Sequence, residues 1–144
     1  MKLALIEAYQ AFYEGEVPVG AILVSEGNVL CRAHNRCERD NDPLAHAEVL
    51  AIRQGASLIR SWRLVNSTLY VTKEPCVMCA GALVNARVDR VVFGCCDIKG
   101  GAVESLYELT RDSRLNHRVS VTSGVLGDEC ARVLKDFFAL LRKK

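Results

Sequence analysis

The chain carries a split motif, His46-Ala47-Glu48 followed by Pro75-Cys76-Val77-Met78-Cys79, and any fold it adopts has to bring the two halves to one point. One His and two Cys are the ligand types of a zinc ion with three protein ligands. Three ligands leave the fourth tetrahedral position to water, and that open position separates a catalytic zinc from a structural one. Glu48 stands two residues from His46 and is not needed as a ligand. A spare carboxylate beside a metal-activated water is suited to carrying protons.

Both halves read as helix starts. Asp42-Pro43 has the form of an N-cap with proline at the first helical position, and Val49, Ile52, Ala56 and Ile59 continue the periodicity to about Arg60. Glu74-Pro75 opens a second helix running to about Ala86. Cys76 then falls in its first turn, where the helix dipole favours a thiolate, with Cys79 on the same face. Leu5, Ala8, Tyr9 and Phe12 predict an amphipathic helix over 2–14. Val19–Val24 and Val29–Arg32, around Glu26-Gly27-Asn28, predict a hairpin, and polar residues 33–42 read as a loop. Thr68–Thr72, Arg90–Phe93 and Arg118–Thr122 predict strands, 94–101 a loop, Val103–Leu109 a short helix and 127–142 a terminal helix. This alternation implies an α/β fold with helices packed on a central sheet. The 144 residues, without linker, repeat or low-complexity stretch, suit a single domain over 1–144.

Half of the residues are apolar and a quarter charged, which excludes a disordered chain. The seven cysteines are an odd number, Glu7 interrupts the apolar N-terminus too early for a signal-peptide core, and no apolar run approaches a membrane span. The expected setting is a reducing cytoplasm, away from membranes, with thiols available for metal. Cys31, Cys37, Cys95, Cys96 and Cys130 lack a partner at ligand spacing and read as small packed side chains. The net charge is only +2, but it is unevenly spread. Arg132, Lys135, Arg142, Lys143 and Lys144 oppose Asp136 alone at the C-terminal end, whereas residues 1–30 carry four glutamates against Lys2. The basic end is the place for an anionic partner.

A lone C-x-x-C also serves redox sites or half of a structural zinc site, and Cys37, Cys95, Cys96, His34 and His117 are available as a fourth ligand. The combination of H-A-E with E-P-C-x-x-C is more specific. H-x-E…P-C-x-x-C is the signature of zinc nucleobase deaminases, in which water replaces an exocyclic amine and a Glu shuttles the protons.

The chain resembles the bacterial tRNA-specific adenosine deaminases. The resemblance rests on Glu16-Val17-Pro18-Val19-Gly20-Ala21, His34-Asn35, Asp42-Pro43-Leu44-Ala45-His46-Ala47-Glu48, Leu69-Tyr70-Val71-Thr72, Glu74 to Leu83, Arg90-Val91-Val92-Phe93-Gly94, Asn116-His117-Arg118-Val119 and Asp136-Phe137-Phe138. It implies a cytidine deaminase-like three-layer α/β/α fold with a mixed sheet of about five strands. It also implies a homodimer and conversion of the wobble adenosine in the anticodon stem-loop of an arginine tRNA to inosine. His46, Cys76 and Cys79 would bind one Zn2+ and Glu48 would be catalytic. Asn35 would hydrogen-bond the target base, Val17 and Ala45 would wall the pocket, and Asp97 and Lys99 would contact the anticodon backbone or sugars. Phe138 and Arg142 would meet flanking nucleotides.

The terminal helix has physics of its own. Cys130, Val133, Leu134, Phe137 and Leu141 form one apolar stripe, with Phe138 on its flank between Lys135 and Arg142. An aromatic between two cations suits an unstacked base and its phosphates; the plainer reading is a widened core stripe with solvated charges. The chain departs from the family at Lys73, where an apolar residue is usual, and at Cys96 and Glu104; its first helix also begins late, as from a shortened start. Two other functions compete. A deaminase of a free base or nucleoside, of guanine or cytosine type, would use the same zinc chemistry without needing the 135–142 face. A non-catalytic zinc-stabilised module would need no Glu48.

Overall fold

The computed structural model describes residues 1–143; Lys144, part of the basic end, lies outside the described residues. Its elements follow the order α1 (Lys2–Tyr13), β1 (Gly20–Ser25), β2 (Asn28–His34), α2 (Cys37–Asp40), α3 (Ala47–Ile59), β3 (Ser67–Lys73), α4 (Val77–Asn85), β4 (Arg90–Cys95), a 3-10 turn at Leu109–Arg111, β5 (Ser120–Thr122) and α5 (Gly127–Leu141). The five strands form one sheet in the order β2-β1-β3-β4-β5. β1 runs antiparallel to both β2 and β3, whereas β3, β4 and β5 are parallel, so the sheet is mixed as expected.

Strand alternation feeds a core on each face of the sheet. Ala21 and Leu23 of β1, Leu69 and Val71 of β3, and Val91 and Phe93 of β4 join a buried cluster with Ala47, Ala51 and Ile52 of α3 and Ala80, Leu83 and Val84 of α4. The intervening Ile22 and Val92 are also buried, outside that cluster. α1 and α5 pack on each other and on the sheet, completing three layers. At the hairpin, Glu26 and Gly27 both have positive φ, the condition for a two-residue type I′ turn.

Several local expectations give way to tertiary contacts. The buried face of α1 is Ala4, Glu7, Ala8 and Ala11, with Tyr9 exposed. The helix lies so close to β1 that a Cβ on Gly20 would collide with its backbone, and three of the four buried positions on that face are alanine. Asp42-Pro43 does not start a helix. The Asp42 carboxylate accepts the Leu44 N–H at 2.8 Å in an Asx turn, and α3 begins four residues later with His46 as its N-cap. Cys76 likewise caps α4 rather than lying inside its first turn. The short helix expected over 103–109 is absent: the segment forms wider turns, in which the Leu106 N–H bonds to the Gly101 carbonyl and the Leu109 N–H to the Ala102 carbonyl, while the Glu74 carboxylate takes the N–H groups of Val103, Glu104 and Ser105. The polar loop contains α2, and the final strand is shorter than expected. On α5, Cys130, Val133 and Phe137 are buried, but Leu141 is exposed, so the apolar stripe fades at the end.

Candidate active site and metal centre

The sheet topology gathers the motif residues at one edge. β3 and β4 are parallel and end together at the Lys73–Cys95 pair. β1, antiparallel to β3, begins at the same edge, where Gly20 pairs with His34 at the end of β2. The segments that leave this edge carry Glu16–Val19, Asn35–Glu38, Glu74–Cys76 and Asp97. The carboxyl ends of parallel strands are a recurrent ligand position in α/β sheets.

His46 and Cys76, the N-caps of α3 and α4, bring two helix starts to one point, with Cys79 in the first turn of α4. The donor atoms of His46, Cys76 and Cys79 lie within 4.8 Å of one another. His46 Nδ1 is 3.7 Å from Cys76 Sγ and 3.5 Å from Cys79 Sγ. Zinc–sulfur bonds of about 2.3 Å and zinc–nitrogen bonds of about 2.0–2.1 Å, at tetrahedral angles, separate N and S by about 3.5 Å. The donor set and its spacing therefore fit a tetrahedral metal. Among the described residues no fourth His, Cys, Asp or Glu joins the group. His34 is held by Glu7 and Glu14, His117 faces the Val88 carbonyl, and the Cys37 and Cys95 thiols face Asn35 Oδ1 and the Thr72 carbonyl.

The three donors act electrostatically on one another. The Cys79 thiol, and then His46, hydrogen-bond to Cys76 and lower its pKa far below that of a free thiol. Cys79 moves the opposite way, because its proton is shared with Cys76 and because it is buried. The bond to Cys76 raises His46. Glu48, in the first turn of α3, is 4 % exposed, and burial pushes its carboxyl up despite nearby His46. A carboxyl raised by burial is poised to hold and release a proton.

A pocket opens onto this group, lined by Val17, Val19, Asn35, Cys37, His46, Glu48 and Cys76 together with Glu16, Glu38, Lys73 and Glu74. Asn35 is buried and its amide donates to Glu16 Oε2 at 3.0 Å, while Glu16 Oε1 accepts the Arg39 N–H at 2.7 Å. Of the residues expected to bind substrate, Asn35 and Val17 line the pocket and Ala45 does not: it is buried, and its carbonyl accepts the Arg36 N–H. Asp97 stands one link away, paired with Lys73 at 2.5 Å. Lys99, Phe138 and Arg142 are exposed and do not line the pocket; Phe138 packs edge-on against buried Phe137.

Sequence reasoning missed Glu16, Cys37, Glu38 and Glu74 as site residues, and placed Lys73 only as a departure. Glu74 is 2 % exposed and accepts the N–H groups of Asp97, Val103, Glu104 and Ser105 and the Ser105 hydroxyl. Gly101 permits this, since a Cβ there would strike the carboxylate. An acid directly before Pro75-Cys76 was the one available signal, but its partners lie 23 to 31 residues away.

Residues 1–142 match the family model of the MafB19-like deaminases. The tRNA-specific adenosine deaminase of Bacillus subtilis (strain 168) is 50% identical over 144 residues, covering 100% of this chain and 89% of that protein. The enzyme of the same description from Haemophilus influenzae is 47% identical over 145 residues, covering 100% of this chain and 84% of its own. A solved structure from studies of A-to-I editing by tRNA:A34 deaminases at the wobble position of transfer RNA superposes with a TM-score of 0.90. It is 44% identical and covers 93% of this chain and 97% of that one. A guanine deaminase from Nitrosomonas europaea, 20% identical with a TM-score of 0.82 over 96% of this chain and 82% of its own, shares the fold. With the family match running through residue 142 and these identities extending over its whole length, the chain belongs to the MafB19-like deaminases, in the family of the tRNA-specific adenosine deaminases.

Proposed function

We propose that the protein hydrolyses the wobble adenosine in the anticodon stem-loop of a tRNA, an arginine tRNA by family resemblance, to inosine. It would act in the cytoplasm as a homodimer, the state that resemblance implies. His46, Cys76 and Cys79 hold one zinc ion. Zinc in such a site supplies a water acidic enough to serve as a nucleophile near neutral pH.

The chain's own residues do the rest. Asn35, oriented by Glu16, offers its amide to the base, and Val17 gives the ring an apolar wall. Glu48 holds a proton beside the reacting carbon. It delivers that proton to N1 of adenine, takes the protons of the water that is consumed, and carries one of them to the exocyclic amine as the C6–N bond breaks. One water is consumed, a carbonyl forms at C6, and ammonia leaves. The basic face of Lys135, Phe138 and Arg142 serves the flanking nucleotides, as does Lys99, whose N–H is held by Asp97.

The observation that carries this reading is the buried Glu48 beside three converging donors with no fourth protein donor among the described residues. A structural site leaves no such carboxyl in a pocket. The test offers an arginine anticodon stem-loop and free adenine, guanine and cytosine side by side to zinc-loaded protein. Inosine in the stem-loop alone is expected. Turnover of a free base with an untouched stem-loop would replace this reading with that of a free-base deaminase.

A further inference from the structure

Lys73 ends the central strand β3 and lines the pocket beside Glu74, His46 and Cys76. Apart from His46 it is the one basic side chain in a lining that also holds Glu16, Glu38, Glu48 and Glu74. Its ammonium sits 2.5 Å from Asp97 Oδ2, with the Lys73 side chain 32% exposed and that of Asp97 15%. Asp97 is itself fixed: its N–H donates to Glu74 at 2.9 Å, its other carboxylate oxygen accepts the Lys99 N–H at 3.1 Å, and its carbonyl accepts the Gly101 N–H at 2.8 Å. The Lys73 ammonium is thus held at the rim by an anchored anion, with two of its three donors uncommitted.

A base seated in this pocket leaves its two backbone phosphates outside the mouth, one on each side. An ammonium held at the mouth is a phosphate-binding group, since lysine binds phosphate as a point charge. Asp97, with both carboxylate oxygens already engaged within the chain, acts here as the positioner of that charge. We propose that Lys73, oriented by Asp97, binds a backbone phosphate next to the target nucleotide and so favours a nucleotide within a strand over a free nucleoside. This rests on the polynucleotide reading above.

The test measures inosine formation by zinc-loaded protein on an anticodon stem-loop, and on two copies carrying one uncharged methylphosphonate 5′ or 3′ of the target. Lys73→Met keeps the apolar stem and removes the charge, and Lys73→Arg restores it. On the unmodified RNA, Lys73→Met should raise KM about tenfold, Lys73→Arg should recover most of that, and the slope of log affinity against log salt should flatten by about 0.7. One of the two methylphosphonates should raise the wild-type KM by a similar factor and cost Lys73→Met nothing more. An unchanged KM and salt slope in Lys73→Met, or losses that multiply for both methylphosphonates, overturns the proposal while wild-type editing of the stem-loop keeps the polynucleotide reading intact. A wild-type protein that forms no inosine from the stem-loop overturns both.

Discussion

Replacing Glu74 with Gln tests how the loop beside the His46–Cys76–Cys79 group is held. The side chain is 2 % exposed and its two oxygens accept four backbone N–H groups and one hydroxyl. Gln keeps the shape but turns one terminal atom into a donor. With its oxygen toward Val103, Glu104 and Ser105, the new NH2 faces the Asp97 N–H, and two donors oppose each other. The remaining bonds lose their charge assistance. Hydrogen bonds to charged groups contribute about 1.5–3 kcal/mol and neutral ones about 1; with one bond lost, three sharing a weakened acceptor and the Ser105 hydroxyl free to turn and accept from the new NH2, the cost comes to about 3 kcal/mol. Burial alone would raise the Glu74 pKa from 4.5, but the bonds from Ser105, Asp97 and Glu104 outweigh it and lower it. A lowered carboxyl binds fewer protons folded than unfolded, so its contribution is complete above the unfolded value and drains away as the pH falls through the folded one. Urea denaturation at fixed free zinc measures this. The gap between wild type and Glu74→Gln should be flat from pH 7 to about 5 and close below 4.5. A gap under about 0.5 kcal/mol at pH 7, the range of a neutral surface change, or a gap that widens with acid, refutes the clamp.

Three further outcomes are expected. Glu48→Gln should retain about one zinc per chain by metal analysis yet lose about a thousandfold in kcat, as removal of a proton carrier requires; near-normal turnover would take Glu48 out of its role. Glu16→Gln should lower kcat/KM about tenfold and also lower the melting temperature, because Glu16 is buried with both oxygens accepting, and the new NH2 has to face either the Asn35 amide or the Arg39 N–H; equal kcat/KM would mean that Asn35 does not depend on it. Arg142→Ala should weaken stem-loop binding and flatten the salt dependence by about 0.7 in slope, and an identical slope would place the terminal helix outside the RNA interface.

The chemistry of the site was legible because its parts are local words: H-A-E, P-C-x-x-C, and the helix starts that present them. The sheet was legible for the same reason, each strand being a short apolar run bounded by turn residues. Residues whose partners lie far along the chain were not. Glu16 reads as one more acid in an acidic N-terminal third until its bonds to Asn35 and Arg39 are seen. Glu74 reads as part of a motif, yet its bonds reach residues 97–105, far along the chain. The Asp42-Pro43 signal was misplaced by four residues because the same side chain that caps a helix also closes an Asx turn, and here the turn delivers His46 to the site. Lys73 looked like a departure from an apolar pattern; its partner Asp97 lies on the neighbouring parallel strand's exit, a pairing that only the sheet topology creates.

Hydrolysis of an adenosine held in RNA leaves a mark on its product. Incubating the zinc-loaded protein with an anticodon stem-loop in 18O-labelled water, then digesting the RNA and weighing its nucleosides, reads it directly. Inosine is expected at the wobble position carrying one 18O, with one ammonia released per inosine and both formed about a thousandfold more slowly by Glu48→Gln. Unaltered adenosine after incubation with fully metal-loaded protein would contradict that expectation.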